Sequence, residues 1–464
     1  MLRLRYFIRL IFAFLAKFKG VLLIGFLLGV LIFSLFSLFS DIFIGKKTEK
    51  IGITGRFHTE NIPLPILNLI GEGLTAVTSD GTIIPKLASS WESPDKGKTW
   101  IFTLSDNRFW QDGEQVTSEN IIYEFSDVEI EKPDAKTVAF KLKDPYSTFP
   151  SVVSRPTFKT GLLGTGNWKV EKISISGSFI ESLTITDKNK NKRIYRFYPT
   201  EETTKLAYTL GEVDEVQEMF TSMPFESWKT LTLSEDTQKN KIVTIFFNNQ
   251  DKLLSEKSLR QALVYAIDKS ALPGERAISP IPSDSWGFNP LVKTYDYSHD
   301  RAVELIDELD SNLKENLNIT LISSPILLDV AEQVAKYWTE VGVPTKVLVS
   351  SIVPIEFQAY LTMIDVPRDP DQYSFWHSTQ AAGNISNYSN QRIDKLLEDG
   401  RVELNTEERK RIYLDFQRFL LEDSPAAFLY YPKTYTITRK QLFLLYPVNI
   451  RFYFTLYINS RSNK

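Results

Sequence analysis

The chain has 464 residues, 43% hydrophobic and 24% charged, enough for two or three domains and too apolar to be disordered. It contains no cysteine, which excludes disulfides, thiolate metal sites and a cysteine nucleophile. The net charge of −3 is divided unevenly: residues 1–50 carry eight basic and two acidic side chains, leaving 46 basic and 55 acidic in the remainder, and this net of −9 argues against nucleic acid or other polyanions as partners.

Gly20–Ser40 holds no charged residue. As a helix this run spans roughly 31 Å, enough to cross the apolar core of a bilayer. Arg3, Arg5, Arg9, Lys17 and Lys19 precede it, so the positive-inside rule places residues 1–19 in the cytoplasm, residues 20–44 in the membrane and the bulk of the chain outside. A cleaved signal peptide is the rival reading. The run is long for one, and Ser37–Ser40 is a poor small-x-small cleavage site, so a retained single-pass anchor is the expectation.

From Ile51 to about Thr244 the pattern is mostly strand-like, with turns at Asp80-Gly81, Asp95-Lys96-Gly97 and Asp112-Gly113. Trp100, Phe102 and Leu104 alternate as in a half-buried strand, Thr117–Phe125 reads as helix, and Thr137–Leu142 and Tyr195–Tyr198 read as strands. The second half changes character. Amphipathic helices are predicted over Ser255–Asp268, Asp300–Leu309, Asp329–Val341, Gln391–Arg401 and Thr406–Leu421, with Ser255 as a cap for the first and Gly342 ending the third. Leu259, Ala262, Leu263, Ala266 and Ile267 form an apolar stripe, and Ile412, Phe416, Phe419 and Leu420 form another. Strands are expected at Asn318–Ile322 and Thr345–Val349, and Thr434–Ile458 is again strand-rich. Mixed α/β character with a strand-rich return suits two lobes joined by crossings of the chain.

Catalysis has little to stand on. His58, His299 and His377 are scattered, and no HExxH, GxSxG or P-loop is present. No metal site, cofactor or catalytic residue is expected.

Several segments carry a resemblance in collinear order. They are Pro85–Glu92 (PKLASSWE) with Lys98–Leu104 (KTWIFTL), Phe109–Gly113 (FWQDG), Val116–Phe125 (VTSENIIYEF), Gly164–Val170 (GTGNWKV), Leu210–Asp214 (LGEVD), Arg260–Asp268 (RQALVYAID), Asp369-Pro370-Asp371, Asn387–Asn390 (NYSN) and Ile393–Leu397 (IDKLL). Together the chain resembles the family 5 extracellular solute-binding proteins, the peptide-, dipeptide- and nickel-type receptors of ABC importers. The resemblance implies an α/β, two-lobed type II periplasmic-binding-protein fold, here behind an N-terminal transmembrane helix. Lobe I would be residues 51–245, lobe II 246–433, and 434–464 would return as strands to lobe I. It also implies a non-enzymatic receptor that closes over a short peptide or small zwitterionic ligand and delivers it to an ABC permease. A non-transporting, membrane-anchored interaction or sensing protein on the same scaffold is the alternative. Two departures stand out. The anchor replaces the lipidated cysteine of many relatives, and only Ser126–Asp134 occupies the place of a long insertion that builds an extra subdomain in the family, so that subdomain should be reduced or missing.

The candidate binding segment is Asp365–His377, acidic, aromatic and punctuated by proline. A receptor for a free peptide must neutralise its ammonium group, and a carboxylate in a closed cleft does so with charge-assisted hydrogen bonds. In peptide-binding relatives an amine-binding aspartate lies just upstream of the Asp-Pro-Asp segment, and Asp365 is the nearest match, with one residue more between them. Asp369, Asp371, Tyr373, Trp376, His377, Asn384 and Tyr388 complete the candidate set. The competing reading makes Asp369 and Asp371 a turn, Trp376 part of the core and Asn384 a turn residue, with Arg401 and Arg260 as structural ion-pair formers.

Overall fold

The computed structural model describes residues 2–38 and 47–440. Leu2–Leu38 is helical. No single helix among the described residues is long and apolar enough to cross a membrane. The consecutive stretches Phe14–Val21 and Leu23–Ile32, bent 46° against each other, have the length and composition as a pair. The expected anchor Gly20–Ser40 runs past the described residues at its end, as does Thr434–Ile458 beyond Lys440.

Beyond the N-terminal helix the protein is two lobes sharing one twelve-stranded sheet. In lobe I, Thr48–Thr54 lies between two parallel neighbours, Lys192–Tyr198 and Glu215–Met219. Phe179–Asp187 and Trp168–Ser176 extend that edge antiparallel. In lobe II, Lys241–Phe247 pairs antiparallel with Ala359–Asp365, which is followed by the parallel strands Ile319–Ser323 and Thr345–Val349. The lobes are stitched by the strand Ala426–Arg439. Its first half pairs with Lys241–Phe247 and Gly274–Arg276 in lobe II, and its second half with Leu231–Thr237 and Glu215–Met219 in lobe I. The second crossing is the short run from Thr237 to Lys241.

Lys241–Phe247 (KIVTIFF) is an almost unbroken apolar run because both of its faces are covered. Val243, Ile245 and Phe247 face the cluster that includes Leu259, Ala262, Leu263, Ala266 and Ile267, each no more than 1% exposed. Burial of each Leu or Ile there contributes about 1.5–3 kcal/mol. Ile242 and Phe246 face the opposite cluster, with Trp376, Tyr413 and Phe416. The first predicted helix is observed over Lys257–Tyr265. Its cap is Glu256, whose carboxylate accepts the Ser258 N–H, rather than Ser255. The helices Leu328–Glu340, Gln391–Val402 and Thr406–Asp423 match the predicted segments closely.

The helix predicted over Thr117–Phe125 is not formed. Ser118–Asn120 makes one 3₁₀ turn, in which Asn120 Oδ1 accepts from both Thr117 N and the Trp110 indole. Beyond it, Ile121, Tyr123 and Phe125 turn inward while Ile122 and Glu124 face out. Packing of this extended segment against Phe140 overrides its local propensity. It flanks a four-stranded antiparallel sheet of Ala88–Glu92, Thr99–Leu104, Thr137–Leu142 and Val128–Asp134. Ser126–Asp134 thus supplies the edge strand of this small subdomain and builds no separate unit.

Candidate functional site

Between the lobes lies a cleft of about 1110 Å³. One wall comes from lobe I and its subdomain: the Leu64–Ile70 helix, Gly71–Thr75 and Tyr146–Ser154. The other is the lobe II segment Val366–Asp371 with Ser374 and Arg401, and Asn240 at the crossing lies between them. The lobe I wall is built by close approach of backbone. A Cβ on Gly164 or Gly166 would meet the Ile70 and Leu69 carbonyl oxygens at 2.1 and 2.3 Å, and one on Gly73 would meet Ser154 O at 2.4 Å. Only glycine allows these turns to stack on the helix. Gln111 binds them together, its amide donating to Ile70 O, Gly166 O and Trp168 O at 3.0, 3.0 and 2.8 Å.

Three carboxylates line the cleft, and each is already engaged. Glu72 lies 3.5 Å from both Lys86 and Arg108. Asp371 accepts from Arg401 Nε at 3.1 Å, and the Arg401 guanidinium is sandwiched between the rings of Tyr146 and Tyr373 at 4.7 and 4.3 Å. Burial, and then the Asp371 charge, push the Tyr146 hydroxyl up to about 12. Asp369 is buried in a two-pronged pair with Arg409, at 2.6 and 2.7 Å. Arg409 also donates to Thr148 Oγ1 at 2.6 Å and to Gly400 O at 2.9 Å. Burial works against the Arg409 charge, but Tyr413 and Asp369 outweigh it and hold its pKa above the usual value.

Thr148 belongs to the subdomain of lobe I, so this buried group is hydrogen-bonded across the boundary between the lobes. Ser147 N donates to Arg401 O at 2.7 Å, Ser147 Oγ to Gly400 O at 3.3 Å, and Trp286 N to Asp80 O at 2.9 Å. The set forms a clasp.

Of the predicted site residues, Asp369 and Asp371 reach the cleft wall, and Tyr373 backs Arg401. The other five lie elsewhere. Asp365 ends the strand opposite Lys241 and is ion-paired with it, its side chain 77% exposed and outside the cleft lining. Trp376 is fully buried between Phe246 and Phe428. His377 stacks on Tyr373 at 4.1 Å, its Nε2 3.4 Å from Glu398. Asn384 closes a turn with the Tyr388 backbone, and the Tyr388 hydroxyl donates to Asp423 at 2.6 Å. Trp376, His377, Asn384 and Tyr388 are interior groups of lobe II, satisfied by their own neighbours.

Among the lining residues that sequence reasoning missed are Glu72, Tyr146, Asn167, Arg368, Asn68 and Asn240. The signal for the first and third was present in Gly71-Glu72-Gly73 and Gly164-Thr165-Gly166, whose spaced glycines mark the close backbone approach. Arg368 carries no such signal.

Known proteins share this fold. Residues 82–384 match the family model described as "Bacterial extracellular solute-binding proteins, family 5 Middle". The dipeptide-binding protein of Escherichia coli (strain K12) is 22% identical over 473 residues, covering 82% of this chain and 86% of its own. The oligopeptide-binding protein AppA of Bacillus subtilis (strain 168) is 22% identical over 483 residues, covering 85% and 87%. NikZ of Campylobacter jejuni, solved with Ni(L-His), superimposes with a TM-score of 0.69 at 20% identity, covering 86% of this chain and 95% of NikZ. A peptide binder and a metal-chelate binder thus share the fold, and ligand choice is a matter of the cleft. With more than half its length matched by the family model, the chain belongs to the family 5 bacterial extracellular solute-binding proteins.

Proposed function

We propose that this receptor captures a short peptide, or a solute of similar size and amide content, between its lobes and delivers it to an ABC importer. The cleft carries the reading. Its volume suits a few residues of extended peptide, and the side-chain amides of Asn68, Asn167 and Asn240 line it exposed and free to pair with a peptide backbone. Ligand that contacts both walls favours the closed form by its differential affinity for that form. We place residues 20–44 in the membrane with residues 1–19 cytoplasmic, on the strength of the uncharged run Gly20–Ser40 and the basic residues before it. Mass analysis of the native N-terminus checks this, an intact Met1 or Leu2 being expected.

The test is thermal denaturation of the full chain in detergent with di- to pentapeptides. A bound peptide at a hundred times its Kd stabilises by about 2.7 kcal/mol and raises the Tm. No rise with any length overturns the peptide reading.

One observation favours the second reading, a sensing protein that does not transport: the clasp bonds a buried ion pair of lobe II to Thr148 of lobe I, which favours a fixed arrangement of the lobes. Peptide uptake by cells carrying the chain and its permease separates the two.

A further inference from the structure

The cleft differs in charge from the surface around it. Outside the first fifty residues the chain is acidic, with a net of −9. The three carboxylates lining the cleft are matched by four cations, Lys86, Arg108, Arg401 and Arg409, and a fifth, Arg368, lines it with no hydrogen-bond or ion-pair partner among the described residues. Of these cations only Lys86, Arg401 and Arg368 line the cleft, so its lining is balanced against the three carboxylates, and Arg368 is the lining charge left unpaired among the described residues, in a concave space where fields are focused.

Arg368 is also held in place. Its carbonyl oxygen packs against the turn at Gly81, where a Cβ would come within 2.3 Å and the backbone runs at φ +89°. Val366 N donates to Asn240 O at 2.8 Å just upstream. Asp369 is fixed just downstream by Arg409. The guanidinium therefore starts from a backbone locked at both ends, beside the crossing of the chain.

By contrast, no carboxylate among the described residues of the cleft lining is free to receive an ammonium group. Asp365 lies outside the lining and pairs with Lys241. Asp369 and Asp371 are spent on arginines. Glu72 faces two cations and accepts from Thr165 at 3.4 Å, so an added ammonium there meets two like charges.

Resting on the receptor reading above, we propose that the cleft selects an anionic ligand whose amine is blocked: a peptide-like solute held by its carboxylate at Arg368 and by neutral amides along its length, with no ammonium pocket. An N-acylated peptide acid has this chemistry. Arg368 is the specificity-determining residue.

The test uses the full chain in detergent and mixed-sequence pools of tri- to pentapeptides in three forms: N-acetylated with a free carboxylate, N-acetylated with a C-terminal amide, and free at both ends. Calorimetric binding and thermal shift are read for each. The acetylated acid should bind at least as tightly as the free-ended pool, and the amide about tenfold more weakly, the size expected for loss of one charge-assisted contact. Arg368→Gln should abolish the acid–amide difference and Arg368→Lys restore part of it, with unliganded melting unchanged because the side chain is exposed. If acetylation abolishes binding, if amide and acid bind equally, or if Arg368→Gln keeps the difference, the anionic-ligand proposal falls while the peptide receptor stands. If no pool binds in any form, both fall.

Discussion

Two ion pairs at opposite ends of one short lobe II segment bear differently on the junction between the lobes. At the crossing, Lys241 and Asp365 face each other across the sheet in an exposed pair that the ladder would align without any charge. Four residues on, Asp369 and Arg409 are buried, two-pronged and bonded across the lobe boundary to Thr148. The first decorates a geometry already set by covalent structure. The second helps to set the geometry, because there the lobes meet through hydrogen bonds rather than through a continuous strand. An exposed pair contributes little net energy, whereas a buried pair missing one member leaves an uncompensated charge.

Breaking the buried side should have the largest effect. Asp369→Asn or Arg409→Met is expected to lower stability by about 3–5 kcal/mol in denaturant unfolding. The double variant Asp369→Leu with Arg409→Met should regain much of that loss, and a double-mutant cycle measures how much. Next comes Thr148→Val, which leaves Arg409 one acceptor short. A cost of about 1–3 kcal/mol and a more open unliganded form by small-angle scattering are expected. Ser147→Ala removes one hydrogen bond of the clasp and should cost about 0.5–1.5 kcal/mol. Smallest is Lys241→Gln or Asp365→Asn, expected within about 0.5 kcal/mol and vanishing in high salt. If the crossing variants cost as much as the clasp variants, the contrast between the two sides is wrong.

How far the sequence was legible follows the same division between local and distant causes. The stripe from Leu259 to Ile267 predicts its own burial, since every residue needed to see it lies within three turns. The helix Thr406–Asp423 is legible as a helix but not in its orientation. Its buried stripe is Arg409, Tyr413, Phe416, Gln417 and Leu420, and two polar members move it away from the face that apolar residues alone suggest. Gln417 is buried because it serves Ser279, Asn289 and Gly287, more than a hundred residues away. The segment Thr117–Phe125 fails as a helix because of Phe140 and Val153, which sequence spacing does not bring near. Asp365 reads as a free carboxylate until the sheet register sets Lys241 opposite. The family resemblance identified the two-lobed machine, while the state of each carboxylate in the cleft depended on partners from distant parts of the chain.

The strand Ala426–Arg439 also bears on how the protein is made. Lobe I opens with Thr48–Thr54 in the middle of its sheet, yet Glu215–Met219 beside it pairs on its other side with residues 435–438. Lobe II needs residues 426–430 of the same strand to cover Lys241–Phe247. Neither sheet is complete until nearly the whole described chain has emerged. Pairing over such separations is slow to form. A chain of this topology can therefore complete both lobes only late, when the strand Ala426–Arg439 arrives.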